Sequence, residues 1–237
     1  MKEHELHNYK LVLQYEGIRY NGWQKQKNQE NTIQEVVENA VFDGTGERVE
    51  VIGSGRTDAG THAMGQVANV KLGQDLEPER LMDNINKHLP SDIKILECEK
   101  VDNRFHARLN AKAKTYMYTL CVGKKPDVFN RRTVLHYCAD LDVNAMKKAA
   151  EYLKGEHDFM SFCSNKRTKK STVRKIYDIE IIKDGDEISF IFKGNGFLYN
   201  MVRILTGTLV EVGLGKTNPD DMPKILEAKD RSKSGAT

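Results

Sequence analysis

VIGSGRTDAGTHAMGQVANV, residues Val51 to Val70, is the stretch from which the rest of the chain is read. Two apolar runs, Val51-Ile52 and Val67-Ala68-Asn69-Val70, flank a loop with glycines at positions 53, 55, 60 and 65. Arg56, Asp58 and His62 sit inside that loop. Glycine permits positive φ and close approach of backbone to a ligand. A carboxylate, a guanidinium and an imidazole held between two strands therefore read as a site, the alternative being a glycine-rich connection whose polar residues face water. Neither nucleotide motif fits. Gly55 and Gly60 are followed by Thr61-His62 where a phosphate-binding loop needs lysine and a hydroxyl, and Gly53, Gly55 and Gly60 are spaced G-x-G-x-x-x-x-G.

Working outward, the first half supplies alternating elements. Leu11, Val12 and Leu13 mark a buried strand within Tyr9 to Gln14, followed by YEGIRYNGWQKQ, which carries the only tryptophan, Trp23. Thr32 is placed to cap a helix from Ile33 to Phe42, ended by Asp43-Gly44. Strands are expected over Val49 to Ile52 and Gln66 to Lys71, then a helix that begins near Pro78 and stops at Pro90. Strand Ile93 to Val101 completes the half.

The second half repeats that order. Strand Thr115 to Val122, helix Val143 to Leu153, strands Val173 to Lys183 and Glu187 to Lys193, and a helix from Gly196 to Val212 capped by Asn195 are expected. Met201, Leu205 and Leu209 form the core stripe of that last helix. The fold class is thus α+β: two ferredoxin-like β-α-β-β-α-β halves, related by a pseudo-twofold, with joined antiparallel sheets and a central cleft. The halves are expected over residues 1–108, carrying the aspartate loop, and 109–237. The second copy lacks its last strand, because a helix over Asp220 to Ala228 runs into KDRSKSGAT. A missing strand leaves a sheet edge unpaired.

Composition narrows the class. With 39% hydrophobic and 30% charged residues the chain reads as soluble and globular, with no uninterrupted apolar run long enough for a membrane span. The polar N-terminus MKEHELHNYK has no signal-peptide core, so a cytoplasmic protein is expected. Cys98, Cys121, Cys138 and Cys163 are far apart and read as packing residues, without a metal site or disulfides. Net charge is only +3, but basic residues cluster in Asn165 to Lys175, in Lys124-Lys125 and Arg131-Arg132, and in Arg104-His106-Arg108-Lys112-Lys114. Together these suit a nucleic-acid partner.

Other candidates lie further along. Tyr116 and Tyr118 share one strand face, where a ring could stack on a base, although both also suit ordinary strand packing. Arg203 falls in line with Tyr199 and Thr206, off the apolar stripe, and is expected to find a buried carboxylate partner or to snorkel to solvent. His88, His136 and His157 have no metal spacing. The residues alone leave open an RNA-modifying enzyme, a non-catalytic RNA-binding protein and, more weakly, a glycosidase-like enzyme that would need a second carboxylate near Asp58.

In their order, YEGIRYNGWQKQ, GSGRTDAGTHAMGQV, FHAR, KTYMY, GNGFLYNMVR and GTLVEVG resemble the tRNA pseudouridine synthase A family from about residue 9 onward. The resemblance implies isomerisation of uridine at positions 38, 39 and 40 in the anticodon arm of tRNA, by a homodimer without a cofactor. It implies that Asp58 is the catalytic aspartate, that Arg203 is the basic residue paired with it, that Tyr116 stacks on the target base and that Arg56 helps to extrude the uridine. His62 is left as loop support. Asp58 and Arg56 come from one half, Tyr116 and Arg203 from the other, so the resemblance places the site in the central cleft. The family continues past GAT into an apolar strand that these 237 residues do not include.

Overall fold

In the computed structural model, which describes residues 6–27, 30–125, 127–165 and 170–237, the chain divides after Ala111 into two units, each with its own sheet and helices. The fold is α+β, with two sheets and five α-helices among the described residues.

The N-terminal unit is built around β1 (His7–Tyr15), whose alternate residues Tyr9, Leu11, Leu13 and Tyr15 are 0–2% exposed. Period-two burial puts these four side chains on one sheet face, where helices can cover them. The cover is α1 (Ile33–Thr45) and α2 (Pro78–Asn86), whose Val37, Val41, Leu81 and Ile85 are wholly buried. Burying each such side chain contributes roughly 1.5–3 kcal/mol. The other strands are β2 (Ile52–Gly53), β3 (Ala63–Leu72) and β4 (Ile93–Val101). Sheet order is β2-β3-β1-β4, with β1 antiparallel to both neighbours and Leu11 opposite Ala68 on one side and Cys98 on the other.

Thr32 caps α1 as the sequence implies, its side chain accepting from the Glu35 amide at 3.4 Å. Asp43-Gly44 does not end the helix. Gly44 stays inside it, where a β-carbon would come within 3.1 Å of the Asn84 backbone of α2, and the helix stops one turn later at Gly46, with φ +77°. The expected strand over Val49 to Ile52 shrinks to two residues, because the Val51 amide donates to Glu38 Oε1 at 3.2 Å and not to a neighbouring strand.

The second unit contains β5 (Lys114–Cys121), β6 (Leu135–His136), α3 (Val143–Glu151), β7 (Gly155–Asp158), β8 (Val173–Asp184), β9 (Glu187–Gly194), α4 (Met201–Gly213) and α5 (Met222–Ala228). Its sheet runs β6-β5-β9-β8-β7, and the two-residue β6 lies parallel to β5. The short strands β6 and β7 have no counterpart in the sequence reading, since two to four polar or mixed residues carry no usable alternation. The core joins Phe190 and Phe192 of β9 to Met201, Leu205 and Leu209 of α4, all fully buried.

Helix α4 starts at Met201, five residues later than expected. Asn195 is not its cap. The Asn195 amide donates to Lys175 O and its side-chain oxygen accepts from the Lys175 amide, both at 3.0 Å, so this residue extends the sheet. Asn200, at φ +59°, precedes the helix and donates through Nδ2 to Ser164 Oγ. The basic run of residues 166–169 lies outside the described residues.

After α5 the chain makes a 3-10 turn (Arg231–Lys233) and packs along α4. The Gly235 amide donates to Thr208 Oγ1 at 2.9 Å, and Ser234 Oγ donates to Ser161 O at 2.6 Å. Thr208 is 1% exposed, so Thr208→Val strands a buried amide at nearly constant volume. We expect a loss of about 1–3 kcal/mol in urea denaturation, with an unchanged denaturant slope.

Candidate active site

The loop joining β2 to β3 is held from both flanks. On the β3 side, the Ser54 amide donates to Val67 O at 2.7 Å, and Gln66 accepts from Ser54 Oγ at 2.9 Å while donating to Gly55 O at 2.7 Å. Gln66 is only 9% exposed. On the other side the YEGIRYNGW segment forms the support. The Trp23 amide donates to Thr57 O at 3.1 Å, the Gly60 amide to Tyr20 O at 3.2 Å, and the Tyr15 hydroxyl bonds Thr57 Oγ1 at 3.0 Å. The Gly17 amide donates to His62 Nδ1 at 3.3 Å, so His62 serves as loop support.

Trp23 is fully buried, and its indole lies where a β-carbon on Gly53 would come within 2.5 Å of the ring. No residue with a side chain fits there without displacing the indole. Asp92 closes the base of the segment: Tyr20 OH and Arg19 Nε donate to its carboxylate at 2.7 and 2.9 Å. Burial works to raise the Asp92 pKa, but those two hydrogen bonds outweigh it and hold the carboxyl below its ordinary range. Burial, followed by the bond to Asp92, pushes the Tyr20 hydroxyl up to about 12.

Asp58 and Arg56 emerge from this fixed backbone as exposed side chains. Arg56 Nε donates to Gln24 Oε1 at 3.2 Å. Gln24 in turn donates to Gln34 Oε1 at 2.7 Å, and Gln34 donates to Glu38 Oε1 at 2.9 Å. A relay of carboxamides thus ties the guanidinium to α1. Arg56 also lines a cavity of about 280 Å³ with Trp23, Gln24, Gln34, Glu50, His106 and Arg108.

His106 and Arg108 reach that cavity through an arrangement that pattern reading missed. Asn8 Nδ2 donates to Asp102 O and Phe105 O at 3.0 and 2.9 Å, while Asn69 donates to Asn8 Oδ1 and accepts from the Ala107 amide at 2.9 Å. Both asparagines are 1% exposed. Asn69 interrupts an apolar strand run, which is the one signal in the sequence that could have exposed this anchor.

In the second unit, Tyr116 is half-buried on β5, opposite Phe192, with its ring edge-to-face to Phe197 at 5.2 Å. Tyr118, on the same face, packs against the core. Arg203 is exposed in the first turn of α4, so the buried guanidinium considered from the sequence is not found within this unit. Tyr199 precedes the helix, and Thr206 is turned to Val202 O at 2.9 Å, which dissolves the semi-polar line. No helix among the described residues is long and apolar enough to cross a membrane.

The α+β chain thus presents one exposed carboxylate, Asp58, on a loop whose backbone is bonded on both flanks. Comparison with known proteins gives the family. A family model described as tRNA pseudouridine synthase matches residues 11–110 and 149–237. The chain is 44% identical over 227 residues to tRNA pseudouridine synthase A 2 of Bacillus cereus, covering 96% of this chain and 93% of that one. It is 46% identical over 230 residues to tRNA pseudouridine synthase A of Bacillus sp. strain KSM-64, covering 97% and 94%. With that of Acetivibrio thermocellus it shares 43% over 232 residues, 98% and 95% of the two chains. The chain belongs to the tRNA pseudouridine synthase family, a family of isomerases.

Two measurements test the loop's support. Gly53→Ala forces the indole from its seat, so the single tryptophan should shift its emission to longer wavelength and stability should fall by about 1–3 kcal/mol. Because the Asp92 pKa is depressed in the folded state, its contribution is complete above the unfolded value near ~3.9 and disappears as pH falls through the lower folded value. Asp92→Asn should therefore destabilise the protein at neutral pH by roughly 1.5–3 kcal/mol. In acid titrations followed by unfolding, the difference from the wild type should narrow below about pH 4.

Proposed function

We propose that this chain converts uridine to pseudouridine at positions 38, 39 and 40 in the anticodon arm of tRNA, with Asp58 as the catalytic carboxylate. The observation that carries the reading is the contrast at the loop: its backbone is bonded on both flanks, while the Asp58 side chain stays exposed. A catalytic group needs that combination, because fixed placement removes the entropy of finding the substrate and exposure leaves the carboxylate open to it.

The reaction breaks the N1–C1′ glycosidic bond, turns the uracil and joins C5 to C1′, releasing the C5 proton. An ionised carboxylate serves either by capturing C1′ or by removing a sugar proton. Arg203 is assigned as the basic residue that acts with it. Uridine in a stem must first leave the stack, at a cost of a few kcal/mol, and Arg56 helps to extrude it. Tyr116 holds the freed uracil by stacking, worth roughly 1–3 kcal/mol. Its edge-to-face contact with Phe197 supports this role by limiting the ring's freedom. The chemistry asks for no cofactor. The same reading makes the protein a cytoplasmic homodimer whose two units are ferredoxin-like copies, supported in the first by the order β2-β3-β1-β4 beneath β-α-β-β-α-β.

Tritium release from tRNA carrying 5-labelled uridine tests the proposal, since each turnover exchanges the C5 hydrogen. Asp58→Asn should lower the rate by about a thousandfold or more while leaving tRNA affinity nearly intact. Wild-type turnover in that variant would remove Asp58 from the mechanism. A wild-type protein that binds tRNA without releasing tritium would make this a binding protein.

A further inference from the structure

We infer that the cavity between Arg56 and Arg108 is a subsite for a single phosphodiester of the RNA backbone. The inference rests on the proposed action on tRNA and adds a contact to it. Two permanent cations line the cavity, and among the described residues neither guanidinium is in an ion pair. Arg56 spends only its Nε on Gln24, leaving both terminal nitrogens as donors.

His106 adds a further donor. Its Nδ1 accepts from the amides of Arg108 and Leu109 at 3.2 and 3.3 Å. With Nδ1 turned to those amides, Nε2 is the ring nitrogen left to donate to an anion. Glu50 is the one carboxylate on the wall, and two guanidiniums against it leave a formal charge of one positive unit. That balance suits a phosphodiester monoanion. A base is the wrong occupant, because Trp23 is fully buried and offers no open ring face for stacking.

The placement has a consequence for register. Arg56 stands two residues from Asp58 on the same supported loop, and Arg108 is fixed to the same sheet through Ala107, Asn69 and Asn8. A backbone phosphate gripped at both walls sets where the strand lies relative to Asp58. Contacts to phosphate position a nucleic acid and carry no sequence preference.

The test uses the full chain, unmodified tRNA and a salt series. Arg108 is exposed, so its replacement leaves the core intact. Arg108→Gln should weaken tRNA binding roughly 3- to 30-fold at low salt and reduce the slope of log affinity against log salt by about 1. Arg108→Lys keeps the point charge and should restore the slope. An unchanged slope in Arg108→Gln would overturn the subsite, as would a reduced slope that Arg108→Lys does not restore, which marks a packing role. Tritium release by the wild type reads the synthase proposal separately. A protein with this salt signature and no release keeps the phosphate subsite and loses the reaction.

Discussion

The close seat of the Trp23 indole against Gly53 is the constraint on which the N-terminal unit depends. One fully buried ring fills the space beneath the start of the loop, and its own amide donates to Thr57 O on the far side of Arg56. The same tryptophan thus sets both the depth and the path of the backbone that carries Arg56 and Asp58. Tyr15 packs 6.2 Å away from it and bonds Thr57, so two aromatic residues and one hydroxyl hold the loop from below. Close packing transmits such a constraint, because a displaced ring has no adjacent void to enter.

Polar groups do the rest, and they are buried where a simple core would be apolar. Gln66 satisfies Gly55 O, while Asn8 and Asn69 satisfy each other and the segment from Asp102 to Ala107. A buried carboxamide with all its bonds made is directional in a way that apolar contacts are not. That directionality explains how a glycine-rich loop, with every local reason to be mobile, presents two exposed charged groups from a defined backbone. No buried side-chain nitrogen or oxygen among the described residues is left without a partner.

Much of this was legible in the sequence for physical reasons. The apolar run Leu11-Val12-Leu13 and the capping threonine at 32 announced a strand and a helix because both signals are local. The aspartate loop stood out because its glycines, carboxylate and guanidinium fall on one short stretch between two apolar runs. Failures came where a residue acts outside its own element. Gly44 reads as a helix stop but is a contact surface for α2; Asn195 reads as a helix cap but bonds to Lys175; Val51 reads as strand but gives its amide to Glu38. The short strands β6 and β7 exist only because β5 and β8 offer them an edge.

Sequence by itself determined the family, the α+β class and the chemical identity of the candidate groups, since motif order and residue type survive without coordinates. Only the tertiary structure decided what holds those groups. His106 and Arg108 stand some fifty residues from Arg56 in sequence and line the same cavity, through two asparagines that local pattern treats as interruptions. The exposure of Arg203 was likewise undecided until α4 had its true start at Met201. Local propensity specifies what a segment prefers, whereas partners for buried polar atoms are chosen by whichever chain segments the fold brings within hydrogen-bond reach.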